Sequence, residues 1–183
     1  KLSYREAIEM TYYGASVIHP KTIQPLQRKN IPLLVKSFVN PEGEGTLISG
    51  DVDSIYPPVV VLETNQILLQ ISTRDFSFVA EHHLSEIFKK FADVRIKVNM
   101  MQNSAISFSA CITNQTDKVD RLLSSLKDQF KVNIDDDLEL LTIRHYNDAV
   151  LNELKRNRII ILEERLENTV QMVTKRVPQL TLK

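Results

Sequence analysis

The chain has a single cysteine, no surplus of either charge and no long apolar run in its 183 residues, and each shortage removes a class of function. A lone Cys111 cannot close a disulfide within the chain and suits a reducing compartment, so a cytoplasmic setting is expected. Lys plus Arg and Asp plus Glu both number 23. Without a basic surplus there is no electrostatic footprint for a phosphate backbone, and no nucleic-acid partner is expected. No stretch is apolar for long enough to cross a bilayer, so no membrane partner is expected, and no charged-then-apolar start suggests export. With 43% hydrophobic and 25% charged residues the composition is that of a globular protein of one or two domains. The first residue is Lys1, directly ahead of a helix cap, which predicts a piece excised from a longer protein.

Ser3 and Glu6 have the Ser-x-x-Glu spacing of a capping box, predicting a helix over Tyr4 to Tyr13 that Gly14 stops. Pro20 can open a second helix, Lys21 to Lys29, with Ile23 and Leu26 on one face. Ile31 to Phe38 reads as a buried strand, Asn40 to Gly45 as a turn and Thr46 to Ser49 as a further strand. In this order and spacing, Ala7, Glu9, Met10, Gly14, Ala15, Val17, His19, Pro20, Ile31, Pro32, Val35, Pro41, Gly45, Thr46 and Ile48 resemble the end of the catalytic domain of aspartate kinase. The resemblance implies that residues 1–50 are the tail of an α/β amino-acid kinase domain. It also implies a parent enzyme that phosphorylates aspartate, with ATP and Mg²⁺ as the parent's cofactors. The Lys-x-Gly-Gly opening of that machinery is not in this sequence, so no cofactor and no catalytic residue are expected in this chain, which should be silent alone.

Further on, Ile67 to Ser72 is a short apolar strand. Ala80, Leu84, Ile87, Phe88 and Phe91 form one helical stripe, and Arg95 to Met101 is a second strand. Ile106, Phe108, Ala110 and Ile112 alternate with Ser107, Ser109, Cys111 and Thr113, predicting a strand with one buried and one polar face. Thr116 is expected to cap a helix with the stripe Val119, Leu122, Leu123, Leu126 and Phe130, followed by a strand at Lys131 to Ile134. Strand, helix, strand, strand, helix, strand is the split βαβ arrangement, an α+β ferredoxin-like fold.

This is the fold of the sensing modules called ACT domains, and the resemblance to aspartate kinase implies two in tandem. Residues 66–136 would be the first and 137–183 the remainder of the second. Residues 51–65 would be a linker plus a strand, Pro58 to Thr64, lent to the second module, so that two small sheets are interleaved. The second module would comprise strands Leu138 to His145, Arg158 to Leu162 and Thr169 to Lys175 and a helix from Asn147. It would be truncated, its last helix missing or reduced to Pro178 to Lys183.

Few residues invite a chemical role. His82 and His83 are adjacent, about 100° apart on a helix, and are expected to face solvent and not to share a metal. His19 reads as a turn residue bonded to backbone, and His145 as the end of a strand. Cys111 reads as a small filler without a basic neighbour, and Asp135 to Asp137 as a solvated turn. No metal site is expected.

The resemblance to ACT modules also implies an effector site for an amino acid, lysine or threonine. It would comprise Ser77, Phe78, Val79, Ala80, His82, His83 and Leu84, facing Val98, Asn99, Gln102, Asn103 and Ser104. The physical basis is the unpaired N–H groups and partial positive charge that a helix start offers to a carboxylate. Asn99 stands where many relatives have Asp, so an amide replaces a counter-charge for the ammonium. Glu81 adds a negative charge to the first turn. A homodimer through the first modules is implied as well. The alternatives are a dimerisation module that binds no effector, and an RNA-binding ferredoxin-like domain, which the central strands oppose by offering only Phe108 as a stacking aromatic.

Overall fold

Ser3 starts the first helix as its spacing requires. Its hydroxyl accepts from Glu6 N at 3.0 Å in the computed structural model, which describes residues 1–14, 18–50, 52 and 55–177. The chain divides into two units, Lys1–Val61 and Leu62–Lys183. In the first, β1 (Leu2–Ser3), α1 (Tyr4–Tyr12), α2 (Pro20–Arg28), β2 (Leu33–Val35) and β3 (Thr46–Ser49) follow one another. β3 is central, parallel to β1 and antiparallel to β2. Tyr4, Ala7, Ile23 and Ile48 are buried together beneath the helices. His19 Nδ1 accepts from Lys21 N at 3.1 Å, the backbone-bonded turn role expected of it.

The expected buried strand Ile31 to Phe38 contracts to the three residues of β2, and Phe38 is 99% exposed. Pro32 has no N–H to donate to a ladder, and the Ile31 carbonyl is taken by the Tyr4 hydroxyl at 2.6 Å. Gly45 lies at φ 73°, and a Cβ there would stand 2.5 Å from the Val35 carbonyl oxygen, so this turn requires glycine.

The chain continues with β4 (Val59–Thr73), which starts within the first unit, then α3 (Glu81–Asp93), β5 (Val98–Asn103), β6 (Phe108–Thr113), α4 (Thr116–Leu126), β7 (Phe130–Arg144), α5 (Asp148–Lys155), β8 (Arg158–Leu166) and β9 (Thr169–Arg176). Their strands make one six-stranded sheet in the order β5-β6-β4-β7-β9-β8. This corrects the expectation of two separate sheets. Pro58 to Thr64 and Ile67 to Ser72 are parts of one strand, β4, and Lys131 to Ile134 and Leu138 to His145 are parts of another, β7.

No Gly or Pro interrupts either junction, so the extended chain runs on. One residue in each takes up the change of direction instead: Asn65 at φ 57° and Asp137 at φ 55°. β6 pairs with β4 only over Gln66–Ile71, directly past Asn65, and β9 pairs with β7 only over Glu139–Arg144, just past Asp137. In the sheet β4 lies between β6 and β7, and β7 between β4 and β9.

On one face, α3 and α4 cover Ile67, Leu69, Ile71, Phe108, Ala110 and Ile112. On the other, Leu68, Met100 and Cys111 pack against Leu138, Leu140 and Val173, so the sheet curls until its halves touch. The face of β6 read as polar is thereby covered: Ser109 is buried and Cys111 has no exposed surface. α5 packs Leu151 over Leu141, Ile143, Val170 and Met172. The cap of α4 is Gln115, without a side-chain bond, and Thr116 is its first helical residue. Among the described residues no helix follows β9, and Pro178 to Lys183 lie outside them.

Candidate effector site

The loop between β4 and α3 is braced by its own side chains. Thr73 Oγ1 donates to the Ser77 carbonyl at 2.7 Å, and Asp75 Oδ1 accepts from both Ser77 N (3.1 Å) and Ser77 Oγ (2.7 Å). The Ser77 hydroxyl is the main reason that the Asp75 carboxyl is held below the ordinary carboxylate range, so the loop carries a fixed negative charge. Phe76 occupies the left-handed region at φ 61°, and Phe76 and Phe78 are both exposed. Val79 is core, and its N–H donates to Ala105 O at 2.9 Å, tying this loop to the hairpin turn that Ser104 and Ser107 close. The loop Ser77 to Ala80 is thus joined to the Ser104–Ser107 turn through Val79 and Ala105.

Ala80 is the N-cap of α3 and has no oxygen to offer the N–H groups of the first turn. The bond runs the other way, from Ala80 N to His83 Nδ1 at 3.2 Å. His82 and His83, expected to diverge, converge: their Nε2 atoms are 3.1 Å apart and their ring centroids 3.8 Å. Both belong to the first turn, where no preceding turn confines the rings, so spacing along the helix does not set their direction. His83 also meets the Phe130 ring edge-on at 5.9 Å. Leu84 packs against the core.

The strand opposite divides. Val98 packs with the helices, and Asn99, the next residue along the strand, lies on the other face of the sheet, where the register shift between Val98 and Met100 also places Met100. There Asn99 Nδ2 donates to Gln66 Oε1 at 2.9 Å and to Thr113 Oγ1 at 3.0 Å. Asn99 therefore does not face the start of α3, which corrects that part of the expected site. Gln102 and Asn103 are exposed.

The Asn99 cluster has its own electrostatics. Burial raises the Glu63 carboxyl above its ordinary value in spite of Lys97. Burial, with Glu63 adding to it, pushes the Cys111 thiol up to about 12, so this cysteine is inert. Reading the residues in order missed the Asp75 brace, the paired imidazoles and a cavity of about 200 Å³ behind the loop, lined by Gln70, Ser72, Thr73, Phe76, Ile106, Ser107 and Asn133. The signal available for the cavity was the polar phase of β4, Gln70 and Ser72, on the face away from α3 and α4.

No family model matches the chain. The bifunctional aspartokinase/homoserine dehydrogenase 2 of maize is 31% identical over 137 residues, 71% of this chain and 15% of that protein. The chain thus spans well under a quarter of that relative's length. The crystal structure of aspartokinase III from E. coli, in complex with lysine and aspartate, superposes with a TM-score of 0.73 at 25% identity, over 93% of this chain and 41% of that one. A C-terminal regulatory domain of aspartate kinase from Porphyromonas gingivalis covers 65% of this chain with a TM-score of 0.53 at 18% identity, and 86% of that domain is matched. Matched by aspartokinases over most of its length, and folded as their regulatory ACT-type regions are, the chain belongs to the aspartokinases.

Proposed function

We propose that this chain is the regulatory region of an aspartate kinase, binding an end-product amino acid at the start of α3 and pairing with a second copy of itself in the cytoplasm. The observation that carries the reading is the open first turn of α3. Its cap, Ala80, supplies no side-chain acceptor, while the braced loop Asp75–Val79 and the Ser104–Ser107 turn close around it. An amino acid's carboxylate is suited to those N–H groups. Its ammonium is suited to Asp75, which takes the place that Asn99 leaves empty by bonding elsewhere. Glu81 opposes the carboxylate, so the affinity is modest. Lysine and threonine are the expected ligands. Binding shifts the dimer and thereby restrains the kinase by a coupling of about 1–3 kcal/mol.

Calorimetric titration of the dimer with lysine, threonine and methionine tests this. One of the three should bind in the millimolar range or tighter, and Ser77→Ala should weaken it. Silence with all three on a folded dimer would remove the effector role. The second reading, a dimerisation module without an effector, is favoured by the consumption of the Asn99 amide within the sheet. It requires the dimer to persist with no ligand response.

A further inference from the structure

A chain of hydrogen bonds at the start of α3 fixes the tautomers of two imidazoles. A backbone N–H only donates, so the His83 Nδ1 that meets Ala80 N at 3.2 Å is an acceptor. A neutral ring with a lone pair on Nδ1 carries its hydrogen on Nε2, and that atom lies 3.1 Å from His82 Nε2. His82 Nε2 is then the acceptor, with the hydrogen of that ring on Nδ1. The donation runs from Ala80 to His83 to His82, and every link requires a neutral ring. A proton added at His83 Nδ1 removes the acceptor for Ala80. A proton added at His82 Nε2 sets two N–H groups head to head.

Ala80 has no side-chain oxygen with which to cap this turn. The charged groups on the elements around the pair include Glu81, Glu86, Lys89, Lys90 and Asp93 on α3, Arg74 and Asp75 in the preceding loop, and Lys127, Asp128 and Lys131 flanking Phe130. Arg74 is engaged by the Lys127 carbonyl and Asp75 by Ser77. Among the described residues none of these is hydrogen-bonded to either imidazole, so none compensates an added proton directly.

We propose that His82 and His83 form an acid-sensitive latch on the first turn of α3, closed while both rings are neutral and released when either takes up a second proton. It is read from the helix itself, so it stands or falls separately from amino-acid binding.

Nitrogen-15 NMR of the full chain tests it. At about pH 8, His83 should show the Nε2–H tautomer and His82 the Nδ1–H tautomer. On acidification to about pH 5, the Ala80 amide resonance should move, and its protection from hydrogen exchange should fall by roughly threefold or more. The variant His83→Gln retains an acceptor at the third helical position and cannot be protonated, so its protection should stay level. The proposal is overturned by His83 in the Nδ1–H tautomer at the higher pH, by an Ala80 amide that does not respond in the wild type, or by the same loss in His83→Gln.

Discussion

Glu63 sits partly buried on the shared strand β4, and desolvation outweighs the pull of Lys97. Its carboxyl is raised in the folded chain, so between the ordinary carboxylate value and the raised one the folded state holds a proton that the unfolded state has released. Stability is therefore lost as pH rises through that window. Glu63→Gln should stabilise the protein at neutral pH by up to about 1 kcal/mol and make no difference near pH 4, measured as urea midpoints at both values. An equal gain at both pH values would mean that packing, not charge, is responsible. Legibility at this scale was uneven. The role of Ser3 followed from spacing alone, because a cap is a contact between residues three apart. The burial of Cys111 depends on Leu138, Leu140 and Val173, which are distant in sequence, so its alternation with Ser109 suggested a wet face that the fold covers.

Elements were most legible where a local device starts them. Asn147 Oδ1 accepts from Val150 N at 2.9 Å and opens α5, as its position before the apolar run suggested. Asn147→Ala should cost about 1 kcal/mol, with faster amide exchange confined to the first turn of α5. An unchanged melting curve and exchange pattern would show that the tertiary contacts of Leu151 alone hold that helix. β2 was overestimated because apolar residues were counted without asking where the backbone of Pro32 and the Ile31 carbonyl would bond. β4 was divided because the resemblance lent Pro58 to Thr64 to a second module, and β7 because the Asp135–Asp137 run looks like a turn to a local reading. In the folded chain, β4 and β7 are each continuous. Asn99 was misplaced because the resemblance assigned it to the site together with Val98, although neighbours in a strand point to opposite faces.

Across the unit Leu62–Lys183, the two halves share β4 and β7 and meet through Leu68, Leu140 and Val173, so they should unfold together. Leu122 is fully buried under α4 in the first half. Leu122→Ala should destabilise by about 2–5 kcal/mol. Hydrogen exchange should report that loss in α5, in the other half, as fully as in α4. Loss confined to α3 and α4 would mean that the halves open independently. The α+β class and the order of elements were legible from the alternation of periodicities. Fusion into one curled sheet was not, because it is decided by pairing between strands far apart in sequence.

Asn65 and Asp137 stand where the two long strands exchange one neighbour for another, each in a backbone shape that a side chain branched at Cβ resists by about 1–2 kcal/mol. Those two junctions consequently favour Asn, Asp or Gly and disfavour residues branched at Cβ. A lineage drifting to valine or isoleucine at either position would forfeit the splice that lets a single polypeptide thread two half-sheets on common rails.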